Sequence, residues 1–321
     1  MKKVNADGRS NYFLPLSKVK KLDAWLKERY SVDCFVDFDK YYAMRGVGVT
    51  GAEHRKINRL IEENRKYFDT EEFEKKKKTG LALTNIYASD QWRAWWHSTR
   101  RAWLIDSISI CSSIISVLTK KDSELKVIDI GCNVGILSNY LAENHPIKVT
   151  GIDSSDVAIS KAIEFQKSPR VKFEKCDLEK FETQGLWDAA IAVDLVQPIE
   201  HTFAPLIEQV GNLVRTNGDL IVIGNFVEVE NVDEFFRSIG FACVGAQLTG
   251  GYQQGLSHDF TIDWSTKAVL HLKKNLKLKS VDLPVSGDMY DFAEYANSGE
   301  FPPREVNRSY FLPRVDKNIL K

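Results

Sequence analysis

Several strong functional signals are absent from this chain of 321 residues. Its 44 basic and 44 acidic side chains leave a formal net charge of zero, which argues against a broad basic surface for nucleic acid. The five cysteines are scattered without paired metal spacing, so we expect free thiols, no metal and a reduced, cytoplasmic compartment. No apolar run is long enough for a secretory signal or a membrane span, which predicts no membrane partner.

What the chain does contain is enough apolar sequence, 43% of its residues, for one large domain with additions. Residues 1–120 have helical patterns, and we interpret them as an N-terminal helical cap that contributes to the substrate site. Residues 121–274 form the predicted main domain, and residues 275–321 an irregular C-terminal arm packed on it. Two helical faces before residue 120 are well defined: Leu22, Trp25, Leu26 and Tyr30, then Leu104, Ile108, Cys111, Ile115 and Leu118.

From Lys126 onward, short β-rich runs alternate with helical ones. Strands that are apolar nearly throughout, each followed by a helix, predict a parallel sheet covered on both faces. The expected fold is therefore α/β, with a seven-stranded, mostly parallel, Rossmann-like sheet. The predicted strands are 126–131, 148–153, 171–177, 187–194, 219–225, 241–249 and 267–274. The insertion before the last strand is polar and glycine-rich, which predicts irregular structure.

The loop after the first predicted strand reads Gly131-Cys132-Asn133-Val134-Gly135. A dinucleotide fold would place a third glycine where Ile136 stands, and no Gly-Lys-Ser/Thr of a phosphate loop follows. The pattern instead indicates close approach of a ligand to the backbone at a site not built for phosphates. Asparagine visits positive φ more readily than other non-glycine residues, so the loop conformation can survive at Asn133.

This loop and the segments after it resemble the class I S-adenosylmethionine-dependent methyltransferases, whose first motif is D/E-x-G-x-G-x-G. The resemblance covers residues 126–274 and implies S-adenosylmethionine as the cofactor. It implies that Asp153 binds the ribose hydroxyls, Asp177 the adenine amino group and the Leu178 amide a ring nitrogen. It also assigns the segment at Asp194 to the methionine moiety and the substrate. The cofactor-binding residues are then Asp129, Gly131, Cys132, Asn133, Gly135, Asp153, Ser154, Asp177, Leu178 and Asp194.

Transfer of the methyl group is an in-line displacement, and a hydroxyl or ammonium acceptor also needs a base. His201, just past the fourth strand, is one candidate base, although a surface histidine is an equally good interpretation. His258, in the polar insertion, is the other. For acceptor binding we select Tyr252 and Trp264 from the same insertion, together with Trp92 and Trp96.

The sequence predicts a methyltransferase acting on an oxygen or nitrogen of a polar small molecule, such as a metabolite, sugar or natural-product intermediate. One alternative is RNA methylation, because the tryptophan-rich segment at residues 90–104 also carries Arg93, Arg100 and Arg101, as a single-stranded RNA platform would. The neutral charge and the lack of a recognised RNA module speak against it. The other alternative is a subunit that binds S-adenosylmethionine without catalysis. The sequence leaves a homodimer open.

Overall fold

The computed structural model describes residues 16–30, 101–120, 124–177, 181, 185–195, 203–224, 232–253, 263–280 and 314–315. Two helices precede the sheet: α1 (Leu16–Tyr30) and α2 (Arg101–Thr119). There follow β1 (Lys126–Ile130), α3 (Ile136–Asn144), β2 (Lys148–Asp153), α4 (Asp156–Phe165), β3 (Val171–Lys175), β4 (Trp187–Val193), α5 (Phe203–Asn212), β5 (Val214–Gly224), α6 (Val232–Ser238), β6 (Ala242–Gln253), β7 (Asp263–Lys273) and β8 (Arg314–Val315). None of the described helices is long and apolar enough to cross a membrane.

The strands form one sheet in the order β3-β2-β1-β4-β5-β7-β6-β8. β1 to β5 are parallel, and β7 lies antiparallel between β5 and β6. The strand order reverses at β1 and β4, which is where open α/β sheets bind ligands at their carboxyl edge. The predicted α/β fold is confirmed, and the C-terminal arm adds a short eighth strand to the outer edge of β6.

The two faces of the sheet bury different helices. In β1, Val127 packs with α2, α3 and α4 on one face, whereas Ile128 and Ile130 pack with α5 and α6 on the other. Because successive strand residues point to opposite faces, a strand covered on both sides must be apolar nearly throughout. The predicted faces of α1 and α2 are confirmed, with Leu22, Leu26 and Tyr30 buried in the first and Ile108, Cys111, Ile115 and Leu118 in the second.

Two parts of the sheet extend beyond the predicted bounds. The fifth strand begins at Val214 instead of residue 219, because Val214 already pairs with Trp187 of β4. The insertion predicted to be irregular is partly a two-stranded ribbon: β6 extends to Gln253 and β7 begins at Asp263. In a ribbon the backbone groups form interstrand hydrogen bonds, which polar and glycine residues can also make. The side-chain pattern therefore did not indicate these strands.

This ribbon projects past the end of the parallel sheet. β5 ends at Gly224, opposite Ala268 of β7, while the pairing of β6 with β7 continues to Gln253 and Asp263. β6 runs in the same direction as β5, since both are antiparallel to β7. The projecting part therefore lies beyond the carboxyl edge of the sheet, the same edge at which the loops after β1 and β4 lie.

A buried polar network connects β7 to β5 at the edge of the sheet opposite the carboxyl edge. Asp219 Oδ1 lies 2.8 Å from His271 Nε2, and Lys273 Nζ donates to Asp219 Oδ2 at 2.7 Å. Burial alone would raise the pKa of Asp219, but the hydrogen bonds and charges of His271 and Lys273 hold that pKa below its usual value. A one-residue slip of β7 would move His271 and Lys273 away from Asp219 and bury the wrong side chains. The network therefore also specifies the register of β7.

We predict that Asp219→Ala lowers the free energy of unfolding by about 3 kcal/mol or more, because it leaves buried donors without their acceptor. Urea denaturation at pH 7 measures the change, with Arg215→Ala, which removes a half-exposed ion pair with Asp188, as the control. The lowered pKa implies that this stabilisation is present at neutral pH and declines as pH falls through the native pKa of Asp219. Equal stability of the two variants at neutral pH would contradict a structural role for the network.

Candidate cofactor and acceptor site

The carboxyl ends of four neighbouring strands bring the predicted polar residues to one edge. Ile130 at the end of β1 pairs with Ile152 of β2 and Ala192 of β4, and Asp153 pairs with Lys175 of β3. Four predicted groups thus follow or end a strand at this edge: the glycine loop, Asp153 with Ser154, Asp177, and Asp194. The edge therefore carries backbone amides of a loop together with three carboxylates.

The loop after β1 adopts the left-handed conformation at three positions. The φ angles are 68° at Gly131, 49° at Asn133 and 74° at Gly135. A Cβ on Gly135 would lie 2.5 Å from Phe173 Cζ, and one on Gly131 would lie 2.8 Å from Leu195 Cδ1. Gly135 is thus required by conformation and by space, and Gly131 by its conformation, since the tip of the Leu195 side chain can move. The predicted tolerance of Asn133 for positive φ is confirmed. Its side chain stabilises the turn, because Val134 N donates to Asn133 Oδ1 at 2.7 Å.

Asp153 joins this loop to the end of β2. Its Oδ2 accepts from Asn133 N at 2.9 Å, and its Oδ1 accepts from Ser155 N at 2.9 Å. Ser155 in turn caps α4, since its Oγ accepts from Ala158 N at 3.1 Å. Burial raises the pKa of Asp153, and the amides of Ser155, Asn133 and Ser154 oppose that shift. One carboxylate therefore fixes the loop and the start of α4 together.

Asp129 lies behind the loop and is only 2% exposed. Its carboxylate accepts hydrogen bonds from the hydroxyl and the backbone amide of Ser138, in the first turn of α3. Gly135, at the N-cap of α3, provides no side-chain cap, so Asp129 supplies a hydrogen-bond acceptor for the first turn of this helix. Burial raises the pKa of Asp129 to about 7, and the nearby charge of Asp153 adds to the shift.

The remaining predicted cofactor residues that the structure describes differ in solvent exposure and in their contacts. Cys132 is buried, its thiol lies 3.6 Å from the carbonyl oxygen of Asn133, and burial raises its pKa well above the usual value, as suits a packing residue. Asp177 is exposed after β3. Asp194 has a φ of 52°, and its amide donates to Ile223 O at 2.8 Å. The described residues contain no group of three or more His, Cys, Asp or Glu arranged to hold a metal ion.

Comparison with known proteins agrees with this geometry. A sequence model of a family described as "Methyltransferase domain" matches residues 127–218, from β1 to the start of β5. The described sheet therefore contains a methyltransferase domain. S-adenosylmethionine-dependent methyl transfer is the activity that this domain supports.

Relatives of known name share limited identity with the chain. A ubiquinone biosynthesis O-methyltransferase of Rickettsia akari is 21% identical over 232 residues, 70% of this chain and 87% of that protein. One from Nitrosospira multiformis is 28% identical over 138 residues, 42% of this chain and 54% of that protein. Among solved structures, magnesium protoporphyrin IX methyltransferase from Synechocystis is 16% identical, with a TM-score of 0.44, covering 61% of this chain and 97% of that one. The N-methyltransferase NodS from Bradyrhizobium japonicum has the same identity and TM-score, over 60% and 97%.

Some predicted site residues lie outside the part of the methyltransferase that the structure describes. These are Leu178, the two candidate bases His201 and His258, and Trp92 and Trp96. Two others are described through their backbones alone: Tyr252 and Trp264 pair across the ribbon of β6 and β7. The roles of all seven stay predictions.

The structure also adds residues that the motif did not identify. Phe173 of β3 lies beneath the loop and would contact a Cβ on Gly135 or on Gly151 of β2, at 2.5 and 2.7 Å. Ser138 donates a hydrogen bond to Asp129, and Leu195 lies beside Gly131. The one available signal was Gly151, because a glycine inside a strand often marks close approach of another group. Nothing in the sequence pointed to Phe173 or Ser138.

We predict that the conformation at position 133 decides cofactor affinity. Asn133→Gly and Asn133→Asp should retain affinity for S-adenosylhomocysteine within a few-fold, since both residues accept positive φ. Asn133→Val should weaken binding by about 1–3 kcal/mol, because a β-branched residue resists this conformation. Calorimetry on the folded variants measures the affinities. Equal affinity of the valine and asparagine forms would mean that binding does not require the left-handed loop.

We also predict a pH-dependent penalty from buried Asp129 in the cofactor-free domain. Its native pKa of about 7 lies above the ordinary value of 3.8, so the native state binds the extra proton between these values. The stability of the parent should therefore fall, relative to Asp129→Asn, as pH rises from about 4 to 7. The upper limit of the change is about 4 kcal/mol. Urea denaturation of both proteins across this range measures it, and a difference that stays constant with pH would exclude the titration.

Proposed function

We propose that the chain transfers the methyl group of S-adenosylmethionine to an oxygen or nitrogen of a polar small molecule, with oxygen the preferred acceptor. The observation that carries the proposal is the similarity to named O-methyltransferases of ubiquinone biosynthesis. The match to the Rickettsia protein covers 70% of the chain and so extends beyond the family match at residues 127–218. Similarity outside the cofactor domain favours a related class of acceptor.

The cofactor assignment rests on the acceptor capacity of Asp153. Its oxygens receive backbone hydrogen bonds from Asn133 and Ser155, and the Ser154 amide also acts on the carboxylate. An ionised carboxylate has about four acceptor sites, so it keeps capacity to accept from a ribose hydroxyl. The exposed Asp177 would accept from the adenine amino group, with the Leu178 amide beside it, and the Gly131–Gly135 loop would line the methionine chain. Asp129 would act through α3 rather than by contact.

The bound cofactor supplies an electrophilic methyl group on a sulfonium. The protein's own contribution would be to hold the acceptor atom in line with that methyl and to exclude water. As the sulfonium charge disappears during transfer, stabilisation of new charge matters less than position. A hydroxyl acceptor must also lose its proton, for which His258 or His201 is our proposed base.

The acceptor pocket is proposed to lie above the carboxyl edge, beside the projecting ribbon. The ribbon carries Tyr252 and Trp264 past the end of β5, and residue 258 belongs to the segment that joins its two strands. We assign Trp92 and Trp96, from the segment between α1 and α2, to the other wall, whereas α1 and α2 themselves pack on α3, α4 and one face of the sheet. Such a roof would determine acceptor choice, which the sheet itself leaves open.

Incubation of the enzyme with methyl-labelled S-adenosylmethionine and a cell extract, split into small-molecule and RNA fractions, tests the proposal. We expect label in a compound of low molecular mass. Replacing residues 254–262 with a short glycine linker should abolish this transfer, while affinity for S-adenosylhomocysteine stays within a few-fold of the parent. Label in the RNA fraction alone would overturn the acceptor class. Normal transfer by the linker variant would overturn the location of the pocket.

A further inference from the structure

Helix α1 docks on the two helices that adjoin the cofactor loop, although 70 residues separate it from α2. Leu22, Leu26 and Tyr30 are each at most 3% exposed. They belong to one buried cluster with Ile136 of α3 and Ala158 of α4. Aromatic contacts complete it, with the Tyr30 and Phe165 rings 4.7 Å apart and the Trp25 and Tyr140 rings 5.2 Å apart. The first described helix therefore packs as part of the cofactor-binding layer.

Polar contacts fix the orientation of α1 more sharply than apolar packing would. Glu143 of α3 accepts from Trp25 Nε1 at 2.9 Å and from Arg29 Nη2 at 2.5 Å. The same guanidinium donates to the carbonyl oxygen of Phe165, at the end of α4, at 2.9 and 3.2 Å. The Arg29 and Glu143 side chains are only 16% and 22% exposed, so the pair is largely shielded from solvent. Arg29 thus holds α3 and α4 together.

A second polar contact lies close to the loop. Asn139 of α3 is fully buried, and its Nδ2 donates to the Tyr30 hydroxyl oxygen at 3.1 Å. Asn139 Oδ1 has no hydrogen-bond partner in the described structure. The amide of Asn139 itself donates to Gly135 O, the last residue of the loop. Loss of the Tyr30 hydroxyl would leave this buried amide side chain with no partner at all, which favours movement of the first turn of α3.

The cluster beneath α1 extends into the loop itself. Val134 is 2% exposed and packs in the same cluster as Leu22 and Leu26. Its amide donates to Asn133 Oδ1, and the amide of Asn133 donates to Asp153. Release of α1 would uncover Val134 and free the loop to leave the left-handed conformation. Any ligand that needs the ordered loop would then have to restore that order on binding, at a cost in affinity.

We propose that Tyr30 and Arg29 are positioning residues for cofactor binding: by docking α1 on α3 and α4 they keep the Gly131–Gly135 loop in its binding conformation. The inference rests on the proposed assignment of that loop to S-adenosylmethionine. Linkage then requires the reciprocal effect, so that bound cofactor stabilises the docking of α1 by the same factor. Helix α1 would thereby be coupled to cofactor occupancy through α3 and α4.

Calorimetry with S-adenosylhomocysteine on the parent and three variants tests the proposal. Tyr30→Phe should lower affinity about fivefold and Arg29→Ala about tenfold, with partial recovery in Arg29→Lys, which keeps the charge but not the fork of donors. Phe236→Leu is the control: this residue of α6 is fully buried on the opposite face, so the change should lower stability but leave affinity unchanged. Hydrogen exchange supplies the reciprocal readout, with added S-adenosylhomocysteine slowing exchange in residues 22–30 of the parent and not in α6.

Two results would overturn the proposal in distinguishable ways. If the parent binds S-adenosylhomocysteine and the Tyr30 and Arg29 variants bind it equally well at reduced stability, α1 is a structural element only. If the parent binds none, the cofactor assignment of the loop fails and the inference fails with it. Methyl transfer to an acceptor of either class would leave the test of α1 unaffected, because it depends on the cofactor alone.

Discussion

The carboxylate of Asp153 is the constraint on which the rest of the site depends. By accepting from Asn133 N and Ser155 N, it sets the turn after β1 and the start of α4 with a single group. A partly buried carboxylate is costly unless hydrogen bonds compensate for lost hydration, and the loop amides provide that compensation. The loop is therefore shaped by the group that we propose receives the ribose, so cofactor recognition and loop conformation share one origin.

Residues at increasing distance from Asp153 stabilise the loop and the helices around it. Phe173 lies beneath the loop and requires a glycine at 135, while Asp129 holds the first turn of α3 from the buried side. Helix α1 then packs on α3 and covers Val134. At the far edge, the network of Asp219 ties β7 to β5, and β7 leads into the ribbon that rises above the carboxyl edge. Under the proposed function, affinity for the cofactor and choice of acceptor would depend on separate parts of the chain.

The sheet could be predicted from the sequence because both of its faces are buried. Apolar runs that alternate with amphipathic helices are compatible with few other structures. The sequence also predicted the conformation of Asn133 because that preference is local. It missed the ribbon of β6 and β7, where backbone pairing rather than side chains determines the structure. It also missed Phe173, Ser138 and the docking of α1 through Arg29, since contacts between residues far apart in sequence leave no local pattern. Asp129 contacts Ser138 of α3 in the structure, and its expected contact with the cofactor stays a prediction.

The most direct test of this account compares S-adenosylhomocysteine with its 2′-deoxy analogue on the parent and on Asp153→Ala by calorimetry. In the parent, loss of the ribose hydroxyl should weaken binding about tenfold, because a charge-assisted hydrogen bond is lost. In the folded variant both ligands should bind weakly and equally, which gives a coupling energy of about 1–2 kcal/mol for the cycle. If the variant still discriminates between the ligands as the parent does, Asp153 does not bind the ribose and the central assignment is wrong.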